Sequence, residues 1–288
     1  MVNPLVTVCI PTLARPELVT RALPSVLDAH SSPVEVIVAA DAGVSLPASP
    51  LLADARVTVI AASGGGPSIK RNAAAQQARG EVLLFLDDDD ELAPNALDGL
   101  LMVMRAGAGF ASGSVEFRRP DQAPELLPLE DLGPLFDGMV GCFMAGSFVV
   151  RTELFHAVGG YEERLGFGEN AELCMRIAQA MTASGSPWGT ISAPAVRVYP
   201  SSSRYIDARA MSAEIVLEVH RDVFARDQVL RARWQAMAGV AQMRAGDSDK
   251  ARAHLRAAMA AQPLRPQHWF RLALAHVPPL ARRRWASK

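Results

Sequence analysis

Asp87, Asp88, Asp89 and Asp90 stand in a row, followed by Glu91, directly after the apolar run Leu83, Leu84, Phe85 and Leu86. Carboxylates this close repel one another, and no core accepts them unpaired. Such a run is either a solvated loop or helix start, or an oxygen-donor site for a hard cation. Its place at the end of an apolar strand favours a Mg2+ or Mn2+ site that binds a phosphorylated ligand. Mg2+ typically takes one or two carboxylates and completes its shell with substrate phosphates.

The elements that must position this run are legible in the first hundred residues. Residues 5–10 are a β-rich run that includes Leu5, stopped by Pro11, and residues 15–29 carry Leu18, Ala22, Val26 and Ala29 at helical spacing. Residues 34–38 and 57–60 are short apolar runs between turn residues, residues 67–79 read as a second helix, and residues 82–86 as a further strand. Near-continuous apolar strands separated by helices predict an α/β fold, with a mostly parallel sheet covered on both faces. Ligands bind such sheets outside the carboxyl ends of the strands. The functional residues are therefore expected around Pro11 to Arg15, at Asp41, and at Asp87 to Glu91.

Composition narrows the class. With 288 residues, 50% hydrophobic and 20% charged, the chain can fill one large domain or a domain with an appendage, which excludes a disordered or fibrous protein. The net charge of −1 gives no global field to recruit nucleic acid, so no nucleic-acid partner is expected. Cys9, Cys142 and Cys174 are widely spaced, which fits a reducing, cytoplasmic setting and excludes a disulfide scaffold or a zinc ribbon. The chain opens on its first strand with no basic stretch before an apolar run, so no secretory signal is expected. Residues 138–150 are uncharged for only 13 positions, and residues 177–196 carry Ser184, Ser186, Ser192, Pro187 and Pro194. Neither reads as a membrane span.

The middle of the chain is less regular. Residues 110–117 read as a strand, and residues 122–135, with prolines among acidic residues and leucines, as a loop of the kind that walls a cleft. Residues 152–158 read as a short helix capped by Thr152 and stopped by Gly159 and Gly160. Residues 169–183 follow as a longer helix with Leu173, Ile177 and Ala180 on one face. From about Ile206 strand signals vanish. Residues 234–263 resemble a single tetratricopeptide unit, with Gly246 and Asp247 at the turn and Ala251, Leu255 and Ala258 on the second helix. The expected division is residues 1–205 for the α/β domain and 206–288 for a helical region.

Six segments carry a resemblance when taken together. They are VCIPTLARPEL (8–18), EVIVAAD (35–41), KRNAA (70–74), the stretch 78–94 that contains the acidic run, and the pair VGGYEE (158–163) with FGENAELCMR (167–176). In this order they resemble the inverting family 2 glycosyltransferases of the GT-A fold, over roughly residues 5–200. The resemblance implies a Rossmann-like sheet flanked by helices and a nucleotide pocket lined by Pro11, Thr12, Leu13, Arg15 and Asp41. Asp41 would face base or ribose. It implies that the glycine loop ending in Gly66 lets backbone approach the donor, and that Arg71 faces the diphosphate or braces the acidic loop. Asn72 is either a helix-surface residue or a contact. Asp87, Asp88 and Asp89 match the DXD element, with Asp89 first and Asp88 next as ligands of Mn2+ or Mg2+, and Asp90 as a further option. The implied donor is a nucleoside-diphosphate sugar, foremost a UDP-sugar, and the acceptor a hydroxyl, lipid-linked in one version. Polysaccharide, glycolipid, glycoconjugate or natural-product synthesis would be its setting.

Two departures matter. Family nucleotide loops often read Asp-Asp-Gly-Ser, whereas this chain has Ala40, Asp41, Ala42 and Gly43. The helix that usually opens Glu-Asp opens here Glu169-Asn170, and an amide cannot accept the acceptor proton. Glu169 is the first choice as general base and Glu172 the second. Each has a plainer reading: Glu169 as a charge favoured at a helix start, Glu172 as the partner of Arg176 one turn on. The alternative function is a glycosyltransferase-like protein that binds without turnover. A nucleotidyltransferase lacks its glycine-rich signature here, and an interaction protein would rest on the helical tail.

The tail itself has no acidic residue after Asp249 and nine basic ones, with Trp269, Phe270, Leu272, Leu274 and Trp285 among the last six. That mixture fits peripheral contact with an anionic membrane surface, at its inner face, or else an ordinary core with solvated arginines.

Overall fold

The computed structural model describes residues 6–28, 33–131, 133, 136, 138–200 and 206–286. Leu5, Ala29, Leu132, Pro134, Leu135 and Lys288 lie outside them. The chain forms two compact units, Met1–Glu163 with Glu169–Ser202, and Arg164–Gly168 with Ser203–Lys288. The short stretch Arg164–Gly168, which the sequence assigns to the α/β domain, thus groups with the helical unit.

The first unit runs β1 (Val6–Pro11), a π-helical turn (Leu18–Ala22) leading into α1 (Leu23–Leu27), β2 (Val34–Asp41), a 3-10 turn (Pro50–Ala53), β3 (Val57–Ala62), α2 (Pro67–Gln77) and β4 (Val82–Phe85). There follow β5 (Glu91–Leu92), α3 (Ala96–Arg105), β6 (Phe110–Phe117), β7 (Glu125–Leu127), β8 (Glu130–Asp131), β9 (Val140–Gly141), β10 (Phe148–Arg151), α4 (Thr152–Ala157), α5 (Glu169–Ser184) and β11 (Trp188–Val198). The main sheet has the order β3-β2-β1-β4-β10-β6-β11-β5, with β7 on β6, while β8 and β9 pair separately. Strands β3, β2, β1 and β4 are parallel, and Val8 lies level with Val36 on one side and Leu84 on the other. All six residues of β1 and all four of β4 are buried, which is why these strands read as near-continuous apolar runs. This is the mostly parallel α/β sheet flanked by helices that the sequence predicts.

Two strands depart from the expectation. β10 enters antiparallel between β4 and β6, and β11 runs parallel to β6 with register shifts around Pro194. Proline cannot donate to a ladder, so it sits at an irregularity, and the stretch loses the pattern of a strand. Thr152 is the first helical residue of α4 rather than its cap. Its hydroxyl donates to the Gly80 carbonyl at 2.6 Å, back towards the start of β4.

The parallel order places the carboxyl ends of β1, β2 and β4 along one edge. The Thr12 amide donates to Ala39 O, and the Leu86 amide to Cys9 O, so the strand-end segments are tied side by side. Gly66 holds φ +115 immediately before Pro67, the first residue of α2. Only glycine adopts that backbone readily, and proline is preset for the first helical turn.

The second unit is helical: α6 (Ile206–Val219), α7 (Arg221–Arg226), α8 (Gln228–Ala245), α9 (Ser248–Ala261), α10 (Pro266–Ala275) and α11 (Pro278–Trp285). α8 and α9 form the hairpin read from the sequence. Gly246 ends α8 at φ +101, and the Asp247 carboxylate caps α9 by accepting from the Lys250 amide at 2.9 Å. A methyl on Gly239 would sit 2.7 Å from Leu255 Cγ, so glycine sets how closely the two helices approach. Among the described residues no helix is long and apolar enough to cross a membrane.

Candidate active site

Each member of the acidic run has its own partners, which is how five carboxylates share one loop. Asp87 pairs with Arg71 and remains partly open to solvent. Asp88 is buried: its Oδ2 accepts from the Thr12 hydroxyl at 2.6 Å and from the Leu13 amide at 2.9 Å, and its Oδ1 from Arg15 at 3.2 Å. Asp89 pairs with Arg15 as well. Buried Asp90 accepts from the Tyr199 amide at 2.9 Å, and Glu91 accepts from the Tyr199 hydroxyl and from Arg197. Burial first, then the charge of Asp87, pushes Asp90 well above the usual carboxylate range, against the pull of that Tyr199 amide. Burial also raises Asp89; Arg15 opposes it, and the charges of Asp87 and Asp88 add to it.

The strand-end segment after β1 is shaped by Asp88. Ala14 sits at φ +60, and its amide donates to the Thr12 hydroxyl, which in turn donates to Asp88. Leu13 is left exposed and Arg15 half-exposed, both beside the acidic loop. Pro11 closes β1 beneath them.

Three consecutive residues of α2 reach three different parts of the site. Lys70, 2% exposed, donates from Nζ to Asp41 Oδ2 at 2.8 Å and to Thr12 O at 2.9 Å, joining the ends of β1 and β2. Arg71, 1% exposed, donates to Asp87 through Nη2 and to Glu169 Oε1 through Nη1 at 2.8 Å. Burial works against its charge, and Asp87, Tyr161 and Glu169 outweigh it, so the guanidinium lies above its ordinary range. Asn72 donates to Tyr161 O and accepts from the Tyr161 amide, clasping the turn at Gly160. Gly160 holds φ +69, and a methyl there would fall 2.8 Å from Asn72 Oδ1.

Glu169, the first residue of α5, is buried with its carboxylate against Arg71. Asn170 donates to the same Oε1 at 3.1 Å and accepts from the Tyr161 hydroxyl at 2.8 Å. Tyr161 thus orients Asn170, and Asn170 with Arg71 orients Glu169. Glu172 takes the plainer of its two readings. It is fully buried, and both oxygens accept from Arg176, at 2.8 and 2.6 Å. Both oxygens of Glu172 are thus engaged by Arg176 away from solvent, the arrangement of its plainer reading.

Among the described residues no three Asp, Glu, His or Cys side chains form a ready-made cation cage. The residues present nevertheless suit a hard divalent cation. Asp87 and Asp89, on either side of Asp88, are oxygen donors partly open to solvent, in a loop whose like charges a cation would relieve. Asp88 is drawn inward to Thr12, Leu13 and Arg15, which makes it the residue that shapes the loop.

The sequence singled out Asp41 and Arg71 and passed over Lys70, Tyr161 and Tyr199. Lys70 carried one usable signal, a lysine beside Arg71 in a helix opened by Gly66 and Pro67. Tyr161 and Tyr199 join the site through long-range bonds that no local pattern announces.

The glycosyl transferase family 2 model matches residues 7–153, just over half of the chain. A protein of Escherichia coli (strain K12) with the provisional name colanic acid biosynthesis glycosyl transferase WcaA is 36% identical over 104 residues, 34% of this chain and 37% of that protein. The matched region thus spans little more than a third of that relative's length. Among solved structures, S. aureus TarS 1-349 in complex with UDP-GlcNAc is similar at a TM-score of 0.61 and 15% identity, over 98% of this chain and 90% of that one. TarS 1-349 without that ligand named scores 0.58 at 16% identity, over 98% and 89%. At such identity the likeness is one of fold, and it is the GT-A likeness expected above. The family match covers the strands that carry the acidic run and the helix that holds it, and on that ground the chain belongs to glycosyl transferase family 2.

Proposed function

We propose that this chain transfers a sugar from a nucleoside-diphosphate donor, foremost a UDP-sugar, to a hydroxyl acceptor with inversion at the anomeric carbon. The observation that carries the reading is buried Arg71, which links Asp87 at the end of β4 to Glu169 at the start of α5. The donor's leaving group and the acceptor's proton need charges at opposite ends of one displaced bond.

In this reading Asp41, steadied by Lys70, meets base or ribose, while Thr12, Leu13 and Arg15 line the nucleotide beside Pro11. The loop at Gly66 and the start of α2 meet the donor through backbone amides. Asp89, with Asp87 beside it, would hold Mn2+ or Mg2+, which when bound neutralises charge on the departing diphosphate. Glu169 takes the proton of the acceptor hydroxyl as that oxygen bonds to the anomeric carbon and the bond from that carbon to the diphosphate breaks. Its Oε1 is held by Arg71 and Asn170, so the carboxylate is fixed in place before the acceptor arrives. The UDP-GlcNAc named with TarS and the transferase name of WcaA support the donor class. A lipid-linked acceptor, in polysaccharide or glycoconjugate synthesis at the cytoplasmic face of a membrane, completes the reading.

Asn170 favours a second reading, a protein that binds the donor without turning it over. A turnover assay with Mn2+ and a panel of nucleotide sugars separates the two. Release of nucleoside diphosphate with acceptor present supports transfer, and donor binding with no release supports the second reading.

A further inference from the structure

We propose that the helix pair α10–α11 is a docking surface for an anionic lipid bilayer, a reading independent of the transfer chemistry. The segment from Leu264 to Ala286 leaves large apolar side chains in solvent: Leu264 is 94% exposed, Phe270 62% and Trp269 54%, with Val277 and Leu280 about as open. The same helices bury a different set inward. Leu274, Ala275 and Ala281 enter the core of the helical unit with Met243, Ala251 and Leu255, and Leu272 and Trp285 pack against it. The exposed residues are therefore a second, outward set.

Charge identifies the occupant. No acidic residue lies in this segment, and Arg265, Arg271, Arg282, Arg283 and Arg284 fall within it. Among the ion pairs of the described residues none takes up these five arginines, whereas Lys250 and Arg252, just upstream, pair with Glu214 and Asp249. Phe270, Arg271, Arg284 and Trp285 also line one open groove of about 500 Å³ with Pro266 and Gln267. Two aromatic rings beside two guanidiniums match a surface of anionic headgroups over acyl chains. The Trp269 ring donates its Nε1 to Pro263 O at 2.7 Å, which leaves an apolar face free of polar demand. A protein partner or a second copy would need acidic groups opposite these arginines, and a bilayer supplies them without any fixed shape.

The test is co-sedimentation of the full chain with phosphatidylcholine vesicles, with and without about 30% phosphatidylglycerol. Wild type is expected to pellet with the anionic vesicles, to stay in solution with the neutral ones, and to be released by high salt. Replacing Arg282, Arg283 and Arg284 by Ala is expected to lower the partition constant on the order of 10²-fold. Phe270→Ser lowers it while leaving thermal unfolding unchanged, because that side chain faces solvent. Failure of wild type to pellet at physiological salt, equal pelleting of wild type and both variants, or concentration-dependent dimerisation abolished by Phe270→Ser would each overturn the assignment.

Discussion

Arg71 and Glu169 are 98 residues apart in the chain, yet Nη1 of the one lies 2.8 Å from Oε1 of the other in the protein interior. The other end of the same guanidinium holds Asp87. One buried cation therefore balances two carboxylates that arrive from different elements. A change on either side alters the charge felt by the other.

Arg71→Met keeps most of the volume and removes the charge. It is expected to cost about 3–5 kcal/mol, the scale for leaving buried charges without their partner. Arg71→Lys should recover only part of this, because a single ammonium cannot span two carboxylates as a planar fork does. Urea unfolding of the three proteins checks both statements, and equal midpoints for wild type and Arg71→Met would contradict them.

Asp89→Ala is expected to abolish the Mn2+-dependent part of UDP binding and to leave the fold intact, since Asp89 lies on the partly open side of its loop. Isothermal titration with and without Mn2+ reads the difference directly. Asp88→Ala should behave otherwise. It releases Thr12 and Leu13, leaves Arg15 to Asp89 alone, and weakens UDP binding whether or not metal is present.

The parallel half of the sheet was legible because β1, β2 and β4 are buried on both faces and so carry no polar alternation. β11 was not, because Pro194 and the residues around it follow a bulged ladder rather than a two-residue period. The acidic run stood out as chemistry, but its division of labour did not. Nothing local distinguishes Asp88, which turns inward to Thr12, from Asp89, which stays at the surface. Likewise the sequence left Asn72 open between helix surface and contact, and only the turn at Gly160 gives it Tyr161 to hold. Glu172 was legible in its plainer form, since Arg176 lies one helical turn away.

Glu172→Gln tests that division. Turnover is expected to stay within about twofold of wild type while stability falls by roughly 1–3 kcal/mol, the scale for weakening a buried charged hydrogen bond. A large loss of turnover at unchanged stability would return Glu172 to the chemistry.

Glu35 sets a pH dependence away from the site. Burial pushes its carboxyl up, but the Thr7 hydroxyl and the Arg79 amide and guanidinium outweigh it and hold the group below the usual glutamate range. A depressed carboxylate stabilises the fold above its unfolded value, and the contribution is lost as pH falls through the folded one. Glu35→Gln should be less stable by about 1–2 kcal/mol at neutral pH. Its acid limb should be shallower than wild type as pH falls below the usual glutamate range.

In the proposed reaction Glu169 is the group that takes the acceptor proton. Glu169→Gln keeps the size and a hydrogen-bonding oxygen for Arg71, so UDP affinity should stay nearly unchanged. Turnover of the matching nucleotide sugar should fall about 10²-fold or more, the scale for losing general-base help. The decisive measurement is turnover and UDP affinity side by side, in Mn2+, for wild type and Glu169→Gln. Unchanged affinity with turnover reduced to that extent is the predicted result, and a variant that turns over donor as fast as wild type contradicts the account.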